Sequence, residues 1–219
     1  MRYPNAAKGI KKIYLAEILG IVAAVFGIGI LVLTAVRNVD LSAGGDALRT
    51  NMESAGIVTQ FVIYGIAAIL LVLVSYFLGI AGILQASKDE ESFKRALWVE
   101  LLGLALTIVI AYLQNSSPRI ASWLNIAVTV CAMTVTLLVL EGICRLAESL
   151  GRKDITALAE QSRKYLLIAY LLSAVGELFV ALNPGDPFYV SASGVAAFLM
   201  DIAAYVLYLR VLSRAKTMQ

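Results

Sequence analysis

SAGIVTQFVIYGIAAILLVLVSYFLGIAGILQAS, residues 54–87, holds no charged side chain across 34 positions. About twenty consecutive apolar residues carry a helix across ~30 Å of hydrocarbon, so this stretch alone places the chain in a bilayer. Five further stretches read the same way. Residues 120–140 are uncharged, and 13–36, 96–118, 165–185 and 187–209 each contain one acidic residue and no basic one. The expected fold is an all-α integral membrane protein of six transmembrane helices. Its spans are expected at about 13–36, 56–84, 95–114, 120–146, 164–183 and 188–211. The 34 uncharged residues of the second would measure ~51 Å as one helix, so it is expected to tilt or to outrun the bilayer.

Composition agrees. Of 219 residues, 60% are hydrophobic and only 15% charged, well below the charge a soluble domain carries. Short loops leave residues 1–219 as a single transmembrane domain. The net charge of +3 gives no reason to expect nucleic acid as a partner. Its distribution is more informative. If the N-terminus is cytoplasmic, 15 of the 18 Lys and Arg fall on the inner side, and only Arg37, Arg49 and Arg119 face out. The positive-inside rule therefore predicts both termini in the cytoplasm. Short loops and small size point to a prokaryotic plasma (inner) membrane. The first span follows a basic segment but is about twice as long as a cleavable signal core, so it reads as an uncleaved anchor.

Three outward-going helices open alike. Lys11-Lys12 leads to Glu17 and Gly20, Lys94-Arg95 to Glu100 and Gly103, and Arg163-Lys164 begins the fifth span. The pattern fits three helical hairpins in pseudo-repeat, or simply three membrane boundaries of one kind. Pro118, Pro184 and Pro187 fall at outer-loop boundaries, where a missing backbone donor does no harm. The inner segment Ala147–Arg163 reads either as a short surface helix or as an extension of its neighbours.

Candidate chemistry begins with the acids. Glu17, Glu100, Glu141, Glu177 and Asp201 lie inside spans, and no Lys or Arg is comparably deep. Glu17 and Glu100 follow basic pairs by five residues. Glu141 stands four before Arg145, a spacing at which side chains on a helix meet. Glu177 and Asp201 are near the expected midplane, far from any base. A carboxyl there either protonates, holds a cation, or hydrogen-bonds a neighbouring helix as packing glue.

Polar residues recur on the same helical faces. Asp201, Tyr205 and Tyr208 share one face of the sixth span, and Tyr170, Ser173 and Glu177 one of the fifth. Glu100, Gly103, Thr107 and Gln114 align on the third, Asn125, Thr129 and Thr136 on the fourth, and Gln60, Tyr64 and Ser75 on the second. Five such stripes imply a shared polar interior: a permeation path, a solute pocket, or a hydrogen-bonded core. The candidate binding residues for a small solute or cation are Asp201, Glu177, Tyr205, Tyr208, Tyr170, Ser173, Glu100 and Thr107.

Small residues mark another kind of contact. Ala16, Gly20 and Ala24 on the first span, with Ser75 and Gly79 on the second, let helix backbones approach. They serve internal packing, or docking to a membrane partner subunit or a second copy. Enzyme signatures are absent: there is no Gly-x-Ser-x-Gly elbow, phosphate-binding glycine loop or Cys-x-x-Cys. Histidine is missing altogether, which removes His-ligated metals and His general bases. Cys131 and Cys144, thirteen residues apart on one helix, are ~20 Å apart and cannot pair. No cofactor is implied. The leading expectation is membrane transport or small-solute or cation binding through a polar helix-bundle interior, a setting that suits proton or cation coupling. A non-enzymatic accessory protein is the alternative, and a membrane-embedded enzyme the weaker one.

Overall fold

The computed structural model describes residues 3–37, 58–114, 116–182 and 202–218, with the side chains of 118–119, 122–123, 125 and 172–182 outside that description. Among these residues the chain is all helix, with no strand. The helices are α1 (Pro4–Val36), α2 (Val58–Ala86), α3 (Glu91–Leu113), α4 (Pro118–Ser149), α5 (Lys153–Leu182) and α6 over residues 202–215. Four stretches are long and apolar enough to cross a membrane: α1, α2, α3 and Ile126–Ser149 of α4. The spans expected at 164–183 and 188–211 fall partly outside the described residues. So do the loop beyond Arg37, the turn Asn183–Pro187 and Asp201.

Several helices run further than apolarity alone suggests. Pro4 opens α1 nine residues before the expected boundary, at a position where its missing N–H is no loss. Pro118 likewise opens α4. Ala147–Arg163 turns out to extend both neighbours. The Arg152 amide donates to the Ala147 carbonyl at 2.9 Å and the Gly151 amide to Glu148 at 3.0 Å, and Gly151 has φ +69°. This is a Schellman cap, which stops α4 and releases the chain into α5 within three residues. Arg152 then donates to Asp154 in the first turn of α5 at 3.2 Å, holding that carboxyl below its ordinary value.

By packing, the chain divides into two compact units: Met1–Tyr14 with Ile80–Gln219, and Leu15–Gly79. In the first unit the starts of α1 and the end of α2 touch backbone to backbone. A Cβ placed on Gly9 would lie 2.5 Å from the Gly82 carbonyl oxygen and 2.7 Å from the Ala86 nitrogen. One on Gly82 would lie 2.8 Å from the Gly9 oxygen. Ala6, Ile10, Ile13, Ile83 and Ala86 are buried around this crossing. A second close approach joins α3 to α4, where the fully buried Phe93 ring lies where a Gly142 Cβ would be, 2.6 Å away. On α5, Ile155, Ala159, Ser162, Leu166 and Ala169 are all buried, at alternating intervals of four and three that keep one face inward. Val211, Leu212 and Ala215 of α6 complete the same core.

Polar ties reinforce this unit. Asp89, in the turn after α2, accepts from the Ala6 amide at 2.8 Å and from Asn5 Nδ2 at 3.0 Å. It thus caps the first turn of α1, where unpaired N–H groups favour a carboxylate. Arg145 on α4 meets Glu141 at 2.6 Å and Glu90 at 3.6 Å, linking α4 to the residue that precedes α3.

The second unit is an antiparallel pair formed by the later part of α1 and the earlier part of α2. Ser75 Oγ donates to the Ala16 carbonyl at 2.7 Å. The Phe26 and Tyr64 rings meet edge to face at 5.9 Å. Away from this seam the helices expose Val25, Ile28, Leu31, Ile69, Leu70 and Phe77. Side chains so exposed would be costly in water and suit a hydrocarbon surround.

The glycines give two predictions. Gly82→Ala should destabilise the detergent-purified protein by about 1–3 kcal/mol, because its methyl meets backbone that cannot rotate away. Gly65→Ala, with nothing within 4 Å, should leave the thermal midpoint unchanged or raise it. Equal effects of the two would refute the backbone contact. Gly151→Ala should cost about 1–2 kcal/mol through the left-handed conformation alone, since open space surrounds it.

Candidate functional site

The expected binding residues divide by what the structure describes. Asp201 lies outside the described residues. Glu177 and Ser173 lie on α5, but their side chains are outside the description. The three tyrosines are described and gather on one core in the first unit. Tyr208 is buried within it, and Tyr170 and Tyr205 pack against it half-buried. The Tyr205 and Tyr208 rings lie 6.4 Å apart, tilted by 44°. Rings from α5 and α6 therefore share one packed region.

Ser162 lies eight residues before Tyr170 on the same helix, and sequence reading missed it because it fell in the inner segment between two expected spans. It is fully buried on α5, and its Oγ has no hydrogen-bond partner. Buried hydroxyls are nearly always paired, so Ser162, like the buried Gln85 Oε1, holds polar capacity that its neighbours leave unused. At 100° per residue, Ser162, Tyr170, Ser173 and Glu177 fall within an arc of about 80° on α5. The signal that could have found Ser162 is the 155-159-162-166-169 spacing of an inward helix face.

The other polar stripes are less convergent. Thr107 is exposed and donates to the carbonyl of Gly103, four residues back, at 2.9 Å. Gly103 itself packs toward Cys131 of α4. Glu100 is half-buried, and Gln114, Gln60 and Thr129 are exposed. Thr136 donates to its own helix at the Ala132 carbonyl. The side chain of Asn125 is outside the description. Threonines on these helices thus spend their hydroxyls on local backbone, as is common where no water is at hand.

The small residues pair inside the chain. A Cβ on Gly79 would sit 3.7 Å from that of Ala16, and one on Gly20 3.5 Å from Ser75 Oγ. Ala24 is exposed, and Ala23 is buried instead, because the packing face steps by three at that point rather than four.

One cluster has metal-ligand character. Sγ of Cys144 and carboxylate oxygens of Glu148 and Glu160 all lie within 4.8 Å of one another, where α4 meets α5. The Cys144 thiol donates to Glu148 at 3.7 Å. Both carboxylates are exposed and border a cleft of about 290 Å³ shared with Gly151, Lys153, Thr156 and Ala157. One thiol and two carboxylates supply three donors of the kind a divalent ion accepts, though exposed acids commonly sit together without one.

The chain matches no protein-family model, no curated protein and no solved structure.

Proposed function

We propose that this chain is a six-span membrane protein that binds or conducts a small solute or cation through a polar helix-bundle interior, coupled to protons or cations. Both termini are cytoplasmic, in a prokaryotic plasma membrane, and the protein is not an enzyme. Asp201 and Glu177 take the proton, the cation or a basic group of the solute. Tyr170, Tyr205 and Tyr208 orient it. The observation that carries this reading is Ser162, a fully buried hydroxyl without a partner on the α5 face that also bears Tyr170, Ser173 and Glu177. Polar capacity left unused inside an apolar bundle is costly as packing and useful as a contact for a guest.

The accessory reading draws on the same small residues that the two helices of the second unit spend on each other. Ala16 and Gly20 are occupied by Gly79 and Ser75, which leaves little of that face for a partner.

A thermal-shift screen of the purified protein against ions, amino acids, vitamins and amines at two pH values tests the proposal. A ligand at a hundred times its Kd should stabilise by ~2.7 kcal/mol. Asp201→Asn should abolish that shift, and with it any pH-dependent uptake into proteoliposomes. A ligand whose shift survives both Asp201→Asn and Glu177→Gln would overturn the assignment of the acids. For the orientation, a cysteine introduced at Arg49 in a background lacking Cys131 and Cys144 should react with a membrane-impermeant maleimide in intact cells. One introduced at Lys153 should react only after permeabilisation, and the reverse pattern would overturn the topology.

A further inference from the structure

Two basic chain segments touch in the first unit, and between them they carry six cations. Lys8, Lys11 and Lys12 come from α1; Arg210, Arg214 and Lys216 come from the end of α6. Two contacts establish the seam. Lys216 Nζ stands 3.9 Å from the centroid of the Tyr14 ring, and Val211, Leu212 and Ala215 are buried in the core that also holds Ala6, Ile10 and Ile13.

What distinguishes this seam is the lack of compensating charge. Residues 3–16 and 202–218 contain no Asp or Glu. Asp89 reaches α1 at its first turn, where Ala6 and Asn5 bond it. Among the described residues, none of the six cations has an ion-pair partner. Elsewhere acids stand among the cations and take some of them: Arg95 pairs with Glu91, Arg145 with Glu141 and Glu90, and Arg152 with Asp154, while Lys88, Lys94, Lys153, Arg163 and Lys164 make no ion pair among the described residues. Lys8 and Lys12, and Arg210 and Arg214, even repeat like charge at four-residue spacing, which weakens a helix unless an anion relieves it.

The surroundings indicate what that anion is. Lys8, Lys11, Arg210 and Arg214 are exposed. On α1 the next exposed position after Lys11 is the apolar Leu15. On α6 the exposed positions before Arg210 are Val206, Ala203 and Ile202. Along each helix, cation gives way to hydrocarbon surface within one turn. A phospholipid presents the same order, phosphate first and acyl chain next. We propose that the α1–α6 seam binds the headgroup of an anionic phospholipid, with its acyl chains along the apolar surface beyond. Basic pockets between membrane helices are suited to this task.

The test uses the full chain, purified and transferred to nanodiscs of phosphatidylglycerol and phosphatidylcholine with matched acyl chains. Native mass spectrometry reads which lipids remain bound on release. Wild type should retain phosphatidylglycerol preferentially. The triple variant Lys8→Gln, Lys11→Gln, Lys12→Gln should lower that preference by about fivefold per charge, roughly a hundredfold in all. The same positions changed to Arg should keep it, which separates loss of charge from loss of fold. A control triple, Lys94→Gln, Lys153→Gln, Lys164→Gln, removes equal charge elsewhere and should behave as wild type. No preference in wild type, a seam variant that keeps it, or a control that loses it equally would overturn the proposal.

Discussion

Everything in the first unit depends on two helices approaching until their backbones touch. Gly9 and Gly82 leave no room between them for a single methyl group. In hydrocarbon there is no hydrophobic force to press helices together, since lipid tails are as apolar as Leu, so close packing and hydrogen bonds must do that work. The glycine crossing supplies the first. It brings Ile10, Ile13, Ile83 and Ala86 into contact around it, and Phe93 against Gly142 repeats the device between α3 and α4. The Ser75 bond to the Ala16 carbonyl is the counterpart in the second unit, where a side chain takes the place of close backbone contact.

Charge completes what packing begins. Asp89 and Glu90 are adjacent in sequence, yet one holds α1 and the other reaches Arg145 on α4. A short turn therefore joins three helices. The α4–α5 connection works differently: its geometry comes from the backbone, through a glycine in the left-handed region, and its charges lie at the surface. Both junctions lie in the first unit, which also carries most of the Lys and Arg.

Much of this was legible in the sequence, for physical reasons. Long uncharged runs announce α1 to α4 because the cost of burying charge in lipid leaves little freedom in composition. The Glu141–Arg145 pair follows from helical spacing, and it is present at 2.6 Å. The small residues at 16, 20, 75 and 79 were visible, whereas Gly9 and Gly82 were passed over. Gly9 lies among lysines, outside the apolar stretch, and apolarity is blind to a helix that continues into water. The same blindness hid the extent of α5 and with it Ser162. Glu90 with Arg145, Asp89 with Ala6, and Lys216 with Tyr14 join residues from about fifty to two hundred positions apart, and no local periodicity encodes such pairs. Of the candidate site, the tyrosines of α5 and α6 share one core, while Thr107 stands on an exposed face.

The cap on α1 also has a consequence in time. Tyr3, which precedes the helix, has no side chain able to accept from its first turn, and the carboxylate that does so lies 83 residues further along the chain. At about 5–20 residues per second, ribosomal synthesis reaches that residue roughly 4–17 s after Ala6. For that interval the leading turn of α1 has only water or lipid headgroups to satisfy it. Helix α1 is thus finished only once the turn after α2 has been made, and its last hydrogen bond joins two stages of synthesis.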